Sequence, residues 1–164
     1  MDNISFIAVG GTIDKIYFDA KSEYEVGPPN AIDLLKPFNL QVPCTIHSLM
    51  RKDSLDLTDE DRELIARAVD ADPCHRIIIT HGTDTMPETA AHLIARGVAK
   101  EKTVVLTGAL LPALFAATDA IFNIGCALGA VQSLPPGVYI AMNGRIFDGA
   151  RVRKNREAGR FEEI

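Results

Sequence analysis

The sequence predicts an α/β fold in which a mainly parallel β-sheet is flanked by helices. Short apolar runs rich in β-branched residues alternate with segments of helical periodicity along the chain. Such alternation is typical of parallel sheets covered on both faces. The 164 residues are 47% hydrophobic and 24% charged, which is ordinary for one globular domain. We therefore expect residues 1–164 to form a single domain.

Five apolar runs predict the strands of this sheet. They resemble strands that are buried on both faces, which read as nearly continuous apolar stretches. The second run is less regular because Pro43 precedes it. The five runs are residues 4–9, 44–50, 76–80, 103–107 and 138–142.

Capping residues ahead of amphipathic segments predict three helices. Thr58 precedes the first helix, and Asp61 follows this threonine by three residues. Thr85 precedes the second helix, in which Glu88 can complete a capping box. Thr118 precedes the third. These residue types satisfy backbone N–H groups that the first turn of a helix leaves unpaired.

The charge of the chain argues against two classes of partner. A net charge of -5 gives no general attraction to nucleic acid or to an anionic membrane, and the apolar runs are too short to span a bilayer. A basic cluster near residue 155 could contact phosphates or could be a solvated or partner-facing segment, and we favour the second interpretation. This cluster consists of Arg151, Arg153, Lys154, Arg156 and Arg160.

The cysteines and the first residues predict the compartment. Cys44, Cys74 and Cys126 are odd in number and show no C-x-x-C spacing, so we expect buried thiols in a reducing environment. Residues 1–11 have no basic region and no long apolar core, unlike a signal peptide. Both observations predict a cytoplasmic protein.

Polar residues follow three of the predicted strands. Ligands bind beyond the carboxyl ends of strands in open parallel sheets, so these residues predict a site. The backbone N–H groups before the second helix could stabilise an oxyanion there, although a single threonine at such a place is more often a helix cap. The residues are Gly10-Gly11-Thr12, Asp53-Ser54 and His81-Gly82-Thr83-Asp84-Thr85.

Several common chemistries have no motif in this chain. It contains neither G-x-G-x-x-G after a strand nor G-K-[S/T], so nucleotide binding is unsupported. The four histidines lack zinc-ligand spacing, and no G-x-S-x-G elbow occurs. We therefore expect no cofactor and no metal.

Residues 13–27 differ from the rest of the chain. Polar residues alternate there with aromatic ones, including Tyr17, Phe18 and Tyr24. The pattern is compatible with a structural hairpin or with a mobile flap.

Two motifs together resemble those of bacterial-type L-asparaginases and glutaminase-asparaginases. They are Gly10-Gly11-Thr12-Ile13 and His81-Gly82-Thr83-Asp84-Thr85-Met86. Asp53-Ser54 is similar to the substrate-carboxylate loop of that family, residues 23–27 to its lid segment, and residues 142–154 to the segment that ends in its active-site lysine. The likeness implies a Rossmann/flavodoxin-like domain, namely the N-terminal asparaginase domain, over residues 1–164.

The resemblance implies the catalytic residues. Thr12 would be the nucleophile, and Tyr24 would be the lid residue that helps to activate it. Thr83, Asp84 and Lys154 would form a second hydroxyl relay. A threonine hydroxyl needs such a relay because it is a weak nucleophile at its ordinary pKa. The implied reaction converts L-asparagine to L-aspartate and ammonia through an acyl-enzyme, as in asparagine catabolism.

The resemblance also implies the substrate contacts. Ser54 would hold the α-carboxylate and Asp84 the α-amino group, with Asp53, Gly82 and Thr83 completing the binding site. The preference between asparagine and glutamine stays open, because one methylene changes binding by only about 1–3 kcal/mol.

This sequence departs from the family pattern in several places. Leu55 stands where a polar residue often follows the serine, and residues 110–112 and 155–157 differ from the common forms. The sequence reads as a short form with only the N-terminal domain, so we expect a homo-oligomer to cover its apolar surface. Two alternatives to catalysis remain: a module that senses asparagine or aspartate, and an amidotransferase subunit that supplies ammonia to a partner.

Overall fold

A computed structural model describes residues 3–164 of the chain. Its strands, in order, are β1 (Ile4–Gly10), β2 (Lys15–Phe18), β3 (Glu23–Val26), β4 (Cys44–Lys52), β5 (Arg76–Thr80), β6 (Thr103–Thr107), β7 (Gly137–Met142), β8 (Arg145–Asp148), β9 (Val152–Asn155) and β10 (Arg160–Glu163). Its α-helices are α1 (Ala31–Leu35), α2 (Asp59–Ala71), α3 (Met86–Arg96) and α4 (Ala120–Ser133).

The central sheet confirms the predicted α/β class. Six strands lie in the order β4-β1-β5-β6-β7-β8. The first five are parallel, and β8 returns antiparallel to β7. The carboxyl ends of the parallel strands therefore meet at one edge, as the sequence predicted for the site.

Helices cover both faces of this sheet. Ile7 and Ile79 pack in one apolar cluster with residues of α2 and α3, whereas Phe6 and Ile78 pack in a second cluster with residues of α1 and α4. Side chains of neighbouring strand residues point to opposite faces, which explains the two clusters. Every residue of β1 is buried as a result.

Local cap chemistry predicts the starts of α2 and α3 correctly and misplaces the start of α4 by one residue. Thr58 and Asp61 form a reciprocal capping box at the start of α2, as predicted. Thr85 is the N-cap of α3, but the capping box expected from Thr85 and Glu88 is wrong, because the Thr85 side chain accepts no hydrogen bond from the first turn. Its hydroxyl is oriented toward the Ser54 carbonyl, to which it donates. The third helix begins one residue later than expected, with Asp119 at the N-cap.

The cysteines were expected to be buried but are not fully so. Cys44, Cys74 and Cys126 are free and only partly buried. Desolvation nevertheless raises the pKa of each thiol. No helix within residues 3–164 is long and apolar enough to cross a membrane.

Residues 13–27 contain a β-hairpin, which is one of the two structures that the sequence allowed for this segment. Strands β2 and β3 are antiparallel, and Tyr17 lies opposite Tyr24. The Tyr24 ring makes edge contacts with Tyr17 at 5.4 Å and with Phe115 at 5.7 Å between centroids.

A second hairpin, β9–β10, was not predicted from the sequence. Its four-residue strands are too short and too charged to show an apolar pattern. Phe161 anchors it, because this side chain is buried beside Phe147 and its N–H donates to Asn143 Oδ1 at 2.9 Å. The hairpin carries Lys154, which pairs with Phe161 across the strands.

Candidate active site

Three loops meet at the carboxyl edge of the sheet. Gly11 follows β1 with a φ of 87°, and a Cβ there would collide with the backbone of Gly82, which follows β5. A Cβ on Gly82 would in turn lie 2.6 Å from Ser54 Cβ, in the loop after β4. Glycine at both positions allows this close contact, because it has no side chain.

Ser54 organises the start of α3. Its side chain is fully buried, and its Oγ accepts hydrogen bonds from the N–H groups of Asp84 at 3.1 Å and Thr85 at 3.4 Å. The Thr85 hydroxyl donates to the Ser54 carbonyl at 2.7 Å. The sequence suggested the backbone N–H groups before α3 as donors to an oxyanion, but two of them donate to Ser54 Oγ instead. The sequence did not predict this contact, because its partners lie thirty residues apart.

The structure brings Lys154, Thr83 and Asp84 together. Lys154 Nζ donates to Thr83 Oγ1 at 2.7 Å and to Asp84 Oδ1 at 2.8 Å. The lysine side chain is 12% exposed, and Thr83 is buried. Such partly desolvated charged contacts are stronger than those on an open surface.

Arg156 also reaches Asp84. Its Nε lies 3.5 Å from Asp84 Oδ1, a contact that the sequence did not predict. Other members of the basic cluster have carboxylate partners as well, since Arg153 and Arg160 both contact Glu162 at 3.2 Å. These ion pairs favour the solvated interpretation of the cluster over a phosphate-binding one.

Thr12 lies on the neighbouring loop, after β1. It opens a 3-10 turn, Thr12–Asp14, directly after Gly11 and is partly exposed. Because Gly11 touches Gly82, the loop that bears Thr12 packs against the loop that bears Thr83. Two threonine-bearing loops are therefore adjacent.

The β2–β3 hairpin lies over the other side of the site. Tyr24 is 47% exposed and lines a cavity of about 570 Å³ together with Lys15, Arg51 and Asp53. Lys15 Nζ lies 2.9 Å from Asp53 Oδ2, so an ion pair joins the hairpin to the loop after β4. Burial opposes ionisation of Asp53, but hydrogen bonds from Lys15 and the Leu55 backbone hold its pKa below the ordinary value.

Two buried groups near the site have strongly shifted pKa values. Burial raises the pKa of Asp14 to about 7, although a hydrogen bond from Asn30 N–H and the charge of Arg51 oppose this. Burial lowers the pKa of His81 to about 4. Its neutral ring can donate from Nδ1 to the Gly82 carbonyl at 2.6 Å and accept at Nε2 from the Thr89 hydroxyl at 2.8 Å. His81 therefore holds the Gly82 peptide.

Within the described residues 3–164, no group of three or more His, Cys, Asp or Glu side chains is placed to hold a metal ion. The side chains that do converge are hydroxyls, one lysine and carboxylates. This combination defines a candidate site for nucleophilic chemistry by a threonine hydroxyl.

Comparison with known proteins identifies the family. The domain family described as Asparaginase, N-terminal, matches residues 3–161. L-asparaginase 2 of Escherichia coli (strain K12) is 31% identical over 163 residues, which cover 94% of this chain and 47% of that protein. The chain belongs to the asparaginase family.

Two further relatives extend this comparison. A subunit of the glutamyl-tRNA(Gln) amidotransferase of Methanococcus vannielii is 29% identical over 171 residues, covering 94% of this chain and 39% of that protein. The solved structure of the thermostable L-asparaginase from Thermococcus kodakarensis has a TM-score of 0.83 and 28% identity, covering 99% of this chain and 51% of that one. The chain thus spans about half or less of the length of these relatives.

Proposed function

We propose that this chain hydrolyses the side-chain amide of L-asparagine to L-aspartate and ammonia, with Thr12 as the nucleophile. One observation carries the proposal: Lys154 contacts both Thr83 and Asp84, on the loop that packs against the loop of Thr12. Family membership supports the reaction class.

In the proposed first step, Thr12 Oγ bonds to the amide carbon, and the carbon–nitrogen bond breaks. The hydroxyl proton ends on the departing nitrogen, so ammonia leaves and an ester remains on Thr12. Tyr24 would assist from the β2–β3 hairpin. Tyr24 is half-exposed and contacts the rings of Tyr17 and Phe115. In the proposed reaction, movement of the hairpin would bring it to Thr12.

In the second step, water bonds to the ester carbon, and the bond to Thr12 Oγ breaks as this oxygen regains a proton. Thr83 would orient the water. A hydroxyl has one hydrogen to donate and two lone pairs, and Lys154 donates to a lone pair of Thr83 Oγ1. The hydrogen of Thr83 is therefore left for another partner.

Ser54 is suited to the proposed carboxylate contact despite its burial. Both of its side-chain contacts use oxygen lone pairs, so its own hydrogen can be donated to a substrate oxygen. A side chain at Gly82 would overlap Ser54. Asp53 and Asp84 complete the proposed substrate site.

Ammonia release tests the proposal. We expect release from L-asparagine by the native chain and its loss in Thr12→Ala, with Thr45→Ala as the control because this exposed threonine lies near the opposite end of β4. Turnover by Thr12→Ala above about a hundredth of the native rate would refute the nucleophile assignment. The same assay with L-glutamine measures the preference between the two amides.

The similarity to an amidotransferase subunit favours one second candidate function. As such a subunit, the chain would release ammonia only in the presence of a partner protein. A sensing module would bind asparagine without releasing ammonia. Strong binding of asparagine by the native chain, with no ammonia formed alone or in cell extract, would support the sensing module. The cytoplasmic location stays a prediction.

A further inference from the structure

The carboxylate of Asp84 contacts two cations at the same oxygen. Lys154 Nζ lies 2.8 Å from Oδ1 and Arg156 Nε lies 3.5 Å from it. The lysine is largely buried, whereas Arg156 is 63% exposed. Lys154 is therefore the inner partner of Asp84, and Arg156 is an outer one on the solvent side.

This ion cluster borders a cavity of about 720 Å³. Acidic and basic side chains both line it: Asp84, Glu88, Glu157, Arg153, Lys154 and Arg156. Arg153 also contacts Glu162 at 3.2 Å. At Asp84 itself, two positive charges face one negative charge.

This local charge balance disfavours an ammonium group. A cation that approaches Asp84 must displace Arg156 or accept repulsion from it at a distance of a few ångströms. Leu55, which follows Ser54, has an apolar side chain that is 63% exposed and cannot accept a hydrogen bond from an ammonium. A neutral substituent meets no such repulsion from Lys154 or Arg156.

We propose that Arg156 determines substrate specificity by masking Asp84, so that the site prefers dicarboxylic acid monoamides without an α-ammonium, such as succinamate, over L-asparagine. The inference rests on the proposed amidohydrolase function. In this proposal, Asp84 mainly holds Lys154 against Thr83. Arg156 determines which substituent of the substrate can bind next to Asp84.

The test compares two amides that differ only in the ammonium. We would measure kcat/KM for L-asparagine and for succinamate with the native chain, Arg156→Gln and Arg160→Gln. Arg160 is a matched control, since it belongs to the same basic stretch but contacts Glu162 instead of Asp84.

The native chain should prefer succinamate. Arg156→Gln should raise the ratio of asparagine to succinamate about twofold to fivefold, mainly through KM, as expected for loss of an exposed ion pair and of a nearby repulsion. Arg160→Gln should leave the ratio unchanged. An unchanged ratio in Arg156→Gln, or a native preference for asparagine, overturns the inference.

Binding measurements separate this inference from the reaction itself. Calorimetry on Thr12→Ala and on Thr12→Ala/Arg156→Gln would compare succinate with L-aspartate. If neither amide is hydrolysed but the binding ratio shifts as expected, the proposed function fails and the ligand preference stands. If amides are hydrolysed and neither ratio shifts, the inference fails alone. If neither amide is hydrolysed and neither dicarboxylate binds, both are wrong.

Discussion

Lys154 Nζ donates to Thr83 Oγ1 at 2.7 Å, although the two residues are 71 positions apart in the sequence. The hairpin β9–β10 makes this contact possible, because it brings Lys154 back to the loop after β5. Breaking the contact leaves the buried Thr83 hydroxyl without its donor and Asp84 with only the exposed Arg156, which is costly in a partly desolvated site.

The first prediction concerns this lysine. Lys154→Met should lower the rate of ammonia release by about 10²–10⁴-fold, the usual effect of removing a group that assists proton transfer. Steady-state kinetics measure the loss. Lys100→Met is the control, because Lys100 is exposed beyond the C-terminal end of α3 and its variant should retain activity. Equal losses in both variants would contradict the proposed role of Lys154.

The second prediction concerns the contact between the loops. In Gly82→Ala the new Cβ would lie 2.6 Å from Ser54 Cβ, so the variant should lose about 1–3 kcal/mol of unfolding free energy. Denaturant unfolding gives the value. In the control Gly129→Ala, no atom lies within 4 Å of the added Cβ, and this exposed helix position should gain up to about 1 kcal/mol. Full stability of Gly82→Ala would show that the loops are not packed this closely.

The third prediction concerns pH and Asp14. Its pKa is about 7 in the folded chain against an ordinary 3.8, so the native state binds more protons than the unfolded state between these values. Stability due to Asp14 is therefore highest below about pH 4, falls as the pH rises to about 7, and changes little above that. One pKa unit corresponds to about 1.4 kcal/mol, so the loss amounts to about 4 kcal/mol.

Asp14→Asn tests this pH dependence, because the amide does not titrate but can still accept from Asn30 N–H. The fall in unfolding free energy between pH 4.5 and 7.5 should be smaller in Asp14→Asn than in the native chain. Asp19→Asn is the control, since Asp19 is exposed in the same hairpin region. An identical fall in the native chain and in Asp14→Asn would exclude Asp14 as its source.

The fourth prediction concerns assembly. Ile121 and Phe122 of α4 are 41% and 62% exposed, and Leu111, which lines the same cavity as Phe122, is 41% exposed. Exposed apolar patches of this kind often bind another chain, so we expect homo-oligomers. Light scattering should show oligomers at micromolar concentration and a shift toward monomer in Phe122→Glu, but not in Leu64→Glu on α2. A native monomer would contradict this.

The sequence alone determined the features that depend on neighbouring residues. The runs 76–80 and 103–107 coincide with β5 and β6, because continuous β-branched stretches require burial on both faces. Thr58 and Asp61 cap α2 as predicted, since both partners of that box lie within four residues. The meeting of three polar loops at one sheet edge followed from the parallel arrangement of their strands.

The tertiary structure alone decided the contacts between distant segments. The Thr85 hydroxyl donates to the Ser54 carbonyl, and its oxygen does not cap α3, because an acceptor on a loop 31 residues away orients the hydroxyl. Arg156 contacts Asp84 only because the short β9–β10 hairpin folds back over the site, and no local pattern encodes that return. Local chemistry thus fixed which side chains were available, and packing between remote loops fixed which of them became partners.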